Sequence, residues 1–212
     1  MSEKAPVFEE TLRNYLAQVA RIDPAEIADT LAISMEQGAA LIPFLGQTYR
    51  VSRTGVLDES GREPLHAVSI VLCRYLILAP PQFPLSGECW VSYKDFKDAA
   101  PFVGGFVNNS ERAIARRFSG RLEQLREAAA GLGSVPPALT LSYQFTGQIP
   151  ALTRIPLLLL FNDAYEDFPA QCTLLFQRRA EKFLDMECLA IIGWLLADTL
   201  AQKAGLAGRT VM

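Results

Sequence analysis

The sequence predicts an α+β fold, in which several helices pack against a mostly antiparallel sheet. Half of the 212 residues are hydrophobic and only 20% are charged, which provides for a large buried core. The run Ile155–Phe161 is apolar throughout, as expected of a strand covered on both faces. Long segments near both ends of the chain repeat apolar residues at helical spacing. We therefore predict a single α+β domain over residues 1–212, with a helical N-terminal segment at 1–38 and the main body at 39–205.

Two helices are predicted in the N-terminal segment. Apolar side chains between Phe8 and Val19 recur at helical spacing, which predicts a helix over Val7–Ala20. Asp23 is followed by a proline and then a glutamate, an arrangement that caps the N-terminus of a helix. We expect this second helix to end near Gly38.

The main body is predicted to begin with a hairpin and a buried helix. Leu41–Val51 has the composition of a strand but is interrupted by a turn at Gly46, and Gly55–Leu57 is a candidate for the return strand of a hairpin. A helix is predicted from Pro64 to Leu78, just before two consecutive prolines that stop it. Its apolar residues nearly surround the axis, which predicts a central position in the fold.

The middle of the chain combines a short strand with a long polar helix. Glu88–Tyr93 alternates as a strand does, and a charged helix is predicted from Ser110 to Leu132. Its arginines are balanced by glutamates, so we interpret this helix as a solvated face. The pair Gly104-Gly105 ahead of it favours a flexible turn over an anion-binding nest.

The last third of the chain supplies the remaining strands and the final helix. Leu139–Phe145 alternates apolar and polar residues, and the short loop before Ile155–Phe161 predicts that these two strands pair antiparallel. Gln171–Phe176 is either another strand or the start of the last helix. That helix is predicted over Ala180–Ala204, with Gly205 placed to end it.

Charge and composition exclude several classes of function. The formal net charge of −3 and the pI near 5.3 argue against a nucleic-acid-binding protein. The longest apolar runs are shorter than the roughly 20 residues that span a bilayer, and the first residues do not have the pattern of a secretory leader. The four cysteines are singly placed, which favours free thiols in a reducing compartment. We expect a cytoplasmic protein with neither a membrane nor a nucleic acid as partner.

The most suggestive stretch for chemistry is the acidic loop that directly follows the apolar strand. Its carboxylates, Asp163, Glu166 and Asp167, are hard oxygen ligands suited to Mg²⁺ or Ca²⁺, although their spacing does not match a calcium-binding loop. The alternative is a turn in which Asn162 and Asp163 bind local backbone amides. The sequence leaves both interpretations open.

Two further residues are candidates for a binding site. Arg74 interrupts an otherwise apolar helix, so its guanidinium must reach solvent or meet a carboxylate, with Asp163 or Asp167 as conceivable partners. Trp90 could line an aromatic pocket, although aromatic residues at such spacings usually belong to the core. The predicted ligand-binding residues are therefore Arg74, Trp90, Asp163 and Asp167.

Several segments of the sequence stand out together: Phe44–Val51, Arg74–Leu76, Pro84–Tyr93, Arg154–Leu157, Phe161–Ala170 and Leu175-Phe176. With the closing helix, they resemble an uncharacterised domain-of-unknown-function family of anaerobic bacteria and archaea. The resemblance covers most of the chain, from Gly38 to Leu200, and brings no assigned activity with it. Some similar proteins have cysteine-rich iron–sulfur segments or neighbours in corrinoid and one-carbon metabolism, which implies an accessory role in anaerobic cofactor chemistry. This sequence lacks such a cysteine-rich segment.

The sequence therefore favours one function and leaves others open. A module that binds a small ligand or a protein partner, in an accessory role in anaerobic metabolism, is favoured because no complete catalytic set is present. The alternative is a divalent-metal-dependent enzyme that uses the acidic loop, and a purely structural subunit is a third possibility. The cofactor and the oligomeric state are left open.

Overall fold

A computed structural model of the chain describes residues 6–84 and 86–206. Its strands are β1 Ser34–Glu36, β2 Ala39–Phe44, β3 Gln47–Ser52, β4 Gly55–Leu57, β5 Trp90–Ser92, β6 Phe145–Leu152, β7 Ile155–Asn162 and β8 Gln171–Gln177. Its α-helices are α1 Pro6–Val19, α2 Pro24–Leu31, α3 His66–Ile77, α4 Val103–Phe106, α5 Arg112–Phe118, α6 Leu122–Ala130 and α7 Met186–Lys203. A π-helical turn, Val107–Glu111, joins α4 to α5, and 3₁₀ turns lie at Tyr93–Asp95 and Arg178–Lys182.

The strands form one antiparallel sheet in the order β4-β3-β2-β6-β7-β8-β5, and β1 pairs with β2 beside this path. This confirms the predicted α+β class. The strand β7 lies between β6 and β8, and all five side chains of Leu157–Phe161 are buried, as the continuous apolar run predicts. Burying each of these side chains contributes about 1.5–3 kcal/mol. The centre of the core therefore lies at β7.

A helical N-terminal segment was predicted over residues 1–38, but the described part of this segment is not helical throughout. The helix α1 lies where it was expected and packs on α3. The second helix begins as predicted, because Asp23 accepts a hydrogen bond from the Ala25 N–H at 2.9 Å. It ends at Leu31 and not near Gly38, because Ala32 adopts a left-handed conformation with φ of 52°. The residues after it form β1 and join the sheet.

The predicted long polar helix is displaced and broken. Helical structure begins at Val103, so Gly104-Gly105 lie inside α4 and do not form a loop. The prediction of one continuous helix to Leu132 is wrong, because Gly120 interrupts it with a φ of 72°. Such a conformation is readily adopted only by glycine, so the chain turns here before α6 begins.

The strand predicted at Leu139–Phe145 is also displaced. Residues 139–144 form no strand, and Leu139 and Tyr143 are 49% and 40% exposed, so their alternation does not face a core. The strand β6 begins only at Phe145 and contains Pro150, which sits where the pairing register shifts. The antiparallel pairing with β7 is confirmed, but with this later segment.

The last helix, α7, packs against α3 and against the helical segments between Val103 and Ala130. The predicted helix over Ala180–Ala204 is divided into a 3₁₀ turn and α7, and Asp185 caps α7 by accepting the Cys188 N–H at 2.9 Å. Gly205 follows the helix with a φ of 66°, as expected of a terminating glycine. In the part of the chain that the structure describes, no helix has the length and apolar character needed to cross a membrane. Residues 1–5, where the absence of a secretory leader was predicted, lie outside the described residues.

Candidate functional site

The acidic loop is tied to its own surroundings by backbone contacts. Asp163 Oδ1 accepts the backbone N–H groups of Gly120 at 2.6 Å and of Ala164 at 2.7 Å. Asn162 Oδ1 accepts the Gln144 N–H at 3.1 Å, and the Asp163 N–H donates to Gln144 Oε1 at 2.8 Å. These hydrogen bonds correspond to the alternative in which Asn162 and Asp163 bind nearby backbone amides. The bond to Gly120 also stabilises the turn between α5 and α6.

The three carboxylates of this loop do not gather around a common point. The backbones of Tyr165 and Phe168 exchange hydrogen bonds of 3.0 and 2.9 Å, so Glu166 and Asp167 occupy the exposed tip of a tight turn. Over residues 6–84 and 86–206, no group of three or more His, Cys, Asp or Glu side chains could hold a metal ion. The predicted metal set of Asp163, Glu166 and Asp167 is therefore not assembled in this structure.

Arg74 pairs with a carboxylate that the sequence analysis did not consider. Its Nε and Nη2 atoms donate to Asp185 Oδ2 at 3.0 and 2.6 Å, and its guanidinium lies 5.3 Å from the centre of the Tyr15 ring. Although burial alone raises the pKa of Asp185, the Cys188 N–H and the Arg74 guanidinium together hold it below its ordinary value. The proposed pairing with Asp163 or Asp167 is wrong, and Arg74 instead links α1, α3 and the start of α7.

Trp90 lies half-buried in β5, at one edge of the sheet. This three-residue strand pairs only with residues 175–177 of β8, with Trp90 opposite Gln177. The first half of β8 therefore extends beyond β5.

A groove runs along this uncovered part of β8, and we call it the edge groove. Its volume is about 800 Å³. On the strand side it is lined by residues 169–173, and on the opposite side by Val107, Glu111, Arg112, Ala115, Arg116 and Ser119. A smaller cavity of about 250 Å³ continues it past Glu111 toward Lys94.

On the side of β8 that faces this groove, backbone N–H and C=O groups have no neighbouring strand among the described residues to pair with. The Leu174 N–H is turned away from β7 and donates to Glu111 Oε1 at 3.0 Å. Because hydrogen-bonding direction alternates along an antiparallel strand, the N–H and C=O of Cys172 point the same way. Among the described residues, no strand pairs with 171–174 on this side. The Glu111 carboxylate thus occupies a place that a neighbouring strand would otherwise take.

Glu111 is held there by an unusual helical segment. It is the last residue of the π-helical turn, a feature that is usually a single turn and is frequent at functional sites. Burial raises the pKa of the Glu111 carboxyl, while the Leu174 N–H and the charge of Lys94 act in the opposite direction. The site therefore combines a half-buried carboxylate with an open strand edge.

Apart from Glu111, the charged residues that line the edge groove are cationic. Arg112 and Arg116 lie one turn apart on α5, and both are exposed. Arg112 Nη1 donates to Asn108 Oδ1 at 2.8 Å, whereas Arg116 makes no ion pair with another residue that the structure describes. The groove is therefore locally basic in a protein whose formal net charge is −3.

Exposed aromatic side chains stand beside the strand side of the groove. Tyr165 and Phe168 are 66% and 69% exposed, and Phe168 directly precedes the first groove residue, Pro169. Large apolar side chains that remain in contact with water together often mark a surface where another molecule binds.

Fold and groove together define an α+β protein with an open, basic sheet edge. The profile of the family described as "Domain of unknown function (DUF3786)" matches residues 23–199, and the chain belongs to this family. No curated protein and no solved structure matches the chain.

The site was only partly accessible to sequence reasoning. Of the predicted residues, Asp163 accepts the N–H of Gly120, the residue that follows Ser119 in the groove wall. Trp90 lies on β5, the strand next to the groove. The sequence pattern assigns Arg112 and Arg116 to a solvated helix face. Their spacing of four residues places both on one side of a helix, which was the available signal, but the sequence does not show what that side faces.

Proposed function

We propose that this chain is a partner-binding module that takes an extended, acidic segment of another protein as an added strand along β8. The observation that carries the proposal is the uncovered edge at residues 171–174, where the Glu111 side chain bonds the Leu174 N–H in place of a strand. Strand addition of this kind supplies affinity through main-chain hydrogen bonds.

The dimensions of the groove suit a short strand. From Ala170 to Leu174 the edge extends about 13 Å at 3.3 Å per residue. An incoming strand would bond the outward N–H and C=O of Cys172, at about 0.5–1.5 kcal/mol for each hydrogen bond. The added strand and β5 would lie end to end, because both would pair with the same edge of β8.

The charge of the groove favours an acidic segment. Arg112 and Arg116 line the helical wall, and exposed ion pairs contribute about 0.2–1 kcal/mol each. Such pairs act mainly on the rate of association and on the choice of partner. Among the described residues, Glu111 is the one carboxylate on this wall, and it is already engaged with β8.

The predicted residues Trp90 and Asp163 have supporting positions in this proposal. Trp90 lies on β5, whose other end, Ser92, is the one that would adjoin the added strand, and Asp163 holds the turn at Gly120 near the opposite end of that strand. The singly placed cysteines favour a cytoplasmic location, and the family resemblance implies an accessory role in anaerobic metabolism; both are part of this proposal.

A selection from a library of short random peptides tests the proposal. We expect the selected peptides to be acidic and their affinity to fall as salt is added, because salt screens exposed charges. Reversing both arginines, Arg112→Glu with Arg116→Glu, is expected to weaken binding about tenfold. Arg53→Glu is the matched control, because Arg53 is exposed and lies outside the groove.

Three results would overturn the proposal: selection of neutral or basic peptides, no selection at all, or binding that the double reversal leaves unchanged. Thermal unfolding of each variant separates a loss of binding from a loss of fold.

A further inference from the structure

A second cavity lies on another side of the molecule, between the β2–β3 hairpin and the C-terminal half of α7. Its volume is about 420 Å³, within the range of about 300–1,000 Å³ that is typical of small-molecule sites. Apolar side chains, among them Phe44, Leu65 and Val68, form part of its wall. Residues of the edge groove do not line it, so what it binds is independent of the proposed function.

The hydroxyl groups in this cavity present acceptors and not donors. The Tyr49 hydroxyl donates its proton to Gln47 Oε1 at 2.7 Å, and the Thr199 hydroxyl donates to the Leu195 carbonyl at 2.7 Å. Each hydroxyl has one proton and two lone pairs, so only lone pairs remain for a ligand. A ligand group that contacts these two hydroxyls must therefore bring its own donors, although the amide side chains of Gln47 and Gln202 also line the cavity.

The charged groups that line the cavity are carboxylates. Asp58 and Asp198 lie in its wall, and none of the described lining residues is Lys, Arg or His. Asp198 is only 9% exposed, and Arg117 Nη1 pairs with its Oδ1 at 2.7 Å, which leaves the second oxygen with acceptor capacity. Burial raises the pKa of the Tyr49 phenol, and the charges of Asp58 and Glu59 raise it further. The phenol therefore stays protonated. Asp58 is itself paired with Arg62 Nη2 at 3.3 Å, so both carboxylates in the wall have an arginine partner that does not line the cavity.

We infer that this cavity binds a small organic cation, a protonated primary amine carried on a compact apolar body. An ammonium group has three N–H donors and no acceptor, which complements the lone pairs of Tyr49, Thr199 and Asp198. The apolar body lies against Phe44, Leu65 and Val68. Hydrogen bonds between an ionised donor and these acceptors are stronger than those of a neutral donor, so the amine is preferred over an alcohol of the same shape.

Three probes of matched shape but different charge test this inference. They are phenethylamine, 2-phenylethanol and 3-phenylpropionate, titrated into the full chain at neutral pH and followed by NMR. We expect the amine to bind, the alcohol to bind about tenfold more weakly, and the carboxylate not to bind. The shifted signals should include those of Tyr49 and Thr199.

Two variants locate the site. Asp198→Asn is expected to weaken amine binding about tenfold, because it removes the charged acceptor. Because that change also alters the pair with Arg117, Tyr49→Phe provides a second variant that keeps the ring and removes only the hydroxyl. Tyr143→Phe is its matched control, since Tyr143 is exposed and outside the cavity. The inference is overturned if no amine binds, if the alcohol binds as tightly, or if Tyr49→Phe behaves as Tyr143→Phe does.

Discussion

The contact between α7 and the π-helical turn gives the sharpest prediction about the fold around the edge groove. Gly193 of α7 lies against this turn so closely that a Cβ atom there would be 2.6 Å from Ser110 Oγ and 2.5 Å from the Phe106 ring. Both distances are shorter than ordinary carbon contacts, so Gly193→Ala must displace the Ser110 and Phe106 side chains or the helical segments that carry them. Overpacking of this kind costs about 1–3 kcal/mol.

The same substitution also has a favourable effect, because alanine stabilises a helix by about 1 kcal/mol relative to glycine. With two clashing contacts we take the upper end of the overpacking cost, so the net loss in unfolding free energy is about 2 kcal/mol. For a chain of this length, that corresponds to a decrease in Tm of about 4–8 °C. Gly104→Ala is the matched control, because nothing lies within 4 Å of a Cβ at this helical glycine, and it should stabilise the protein.

Ser110→Ala completes a double-mutant cycle. The Ser110 hydroxyl is buried and has no hydrogen-bond partner among the described residues, so its removal should stabilise the protein by about 1 kcal/mol. In combination with Gly193→Ala it should recover part of the loss, because one of the two clashing atoms is gone. Chemical denaturation measures all four proteins. A Gly193→Ala protein as stable as the Gly104→Ala protein would refute the close approach of α7 to the π-helical turn.

Three further predictions concern single residues. Asp185 has a lowered pKa in the folded protein, so its contribution to stability is present above its unfolded pKa of about 3.9 and is lost as the pH falls through the folded value. Asp185→Asn should lose this pH dependence in acid denaturation, together with about 1 kcal/mol at neutral pH, since it removes the charge from a half-exposed pair with Arg74. Glu111 has a raised pKa, so the stability it contributes is present below about 4.3 and is lost as the pH rises through the folded value. Glu111→Gln should remove this fall in stability with rising pH, because glutamine does not ionise. Its amide oxygen can still accept the Leu174 N–H. Gly120→Ala should cost about 1–2 kcal/mol, because its positive φ alone opposes a side chain.

Each of these predictions has a result that contradicts it. A parallel pH dependence for Asp185→Asn and the unchanged protein would show that the carboxylate does not depend on Arg74. An unaltered stability profile for Glu111→Gln between pH 4 and pH 7 would mean that burial does not affect this carboxyl group. A fully stable Gly120→Ala protein would mean that the chain does not turn there.

The sequence predicted the core of this fold because the core depends on local patterns. The continuous apolar run at Ile155–Phe161 is found as the central strand, and Asp23 caps α2 as its sequence context indicated. The errors arise where a tertiary contact overrides a local pattern. Leu139 and Tyr143 alternate as in a strand but face solvent, whereas β6 contains a glycine and a proline that its neighbours accommodate.

The site was harder to predict because it depends on which segments meet. The partner of Arg74 is 111 residues away in the sequence, at Asp185, and no local pattern indicates it. The edge groove arises because β5 is shorter than β8, which is a property of pairing and not of composition. The sequence pattern assigns Glu111 to a solvated helix, although in the structure its side chain accepts the Leu174 N–H.

Amide hydrogen exchange in the free protein tests the open edge most directly. Along β8, the Thr173 N–H faces β7 and the Cys172 N–H faces the edge groove, so two adjacent amides should behave differently. The account predicts slow exchange at Thr173 and fast exchange at Cys172, with the Cys172 amide becoming protected once a selected acidic peptide is bound. A Cys172 amide as protected as that of Thr173 in the free protein would mean that the edge is already covered, and that no strand can be added there.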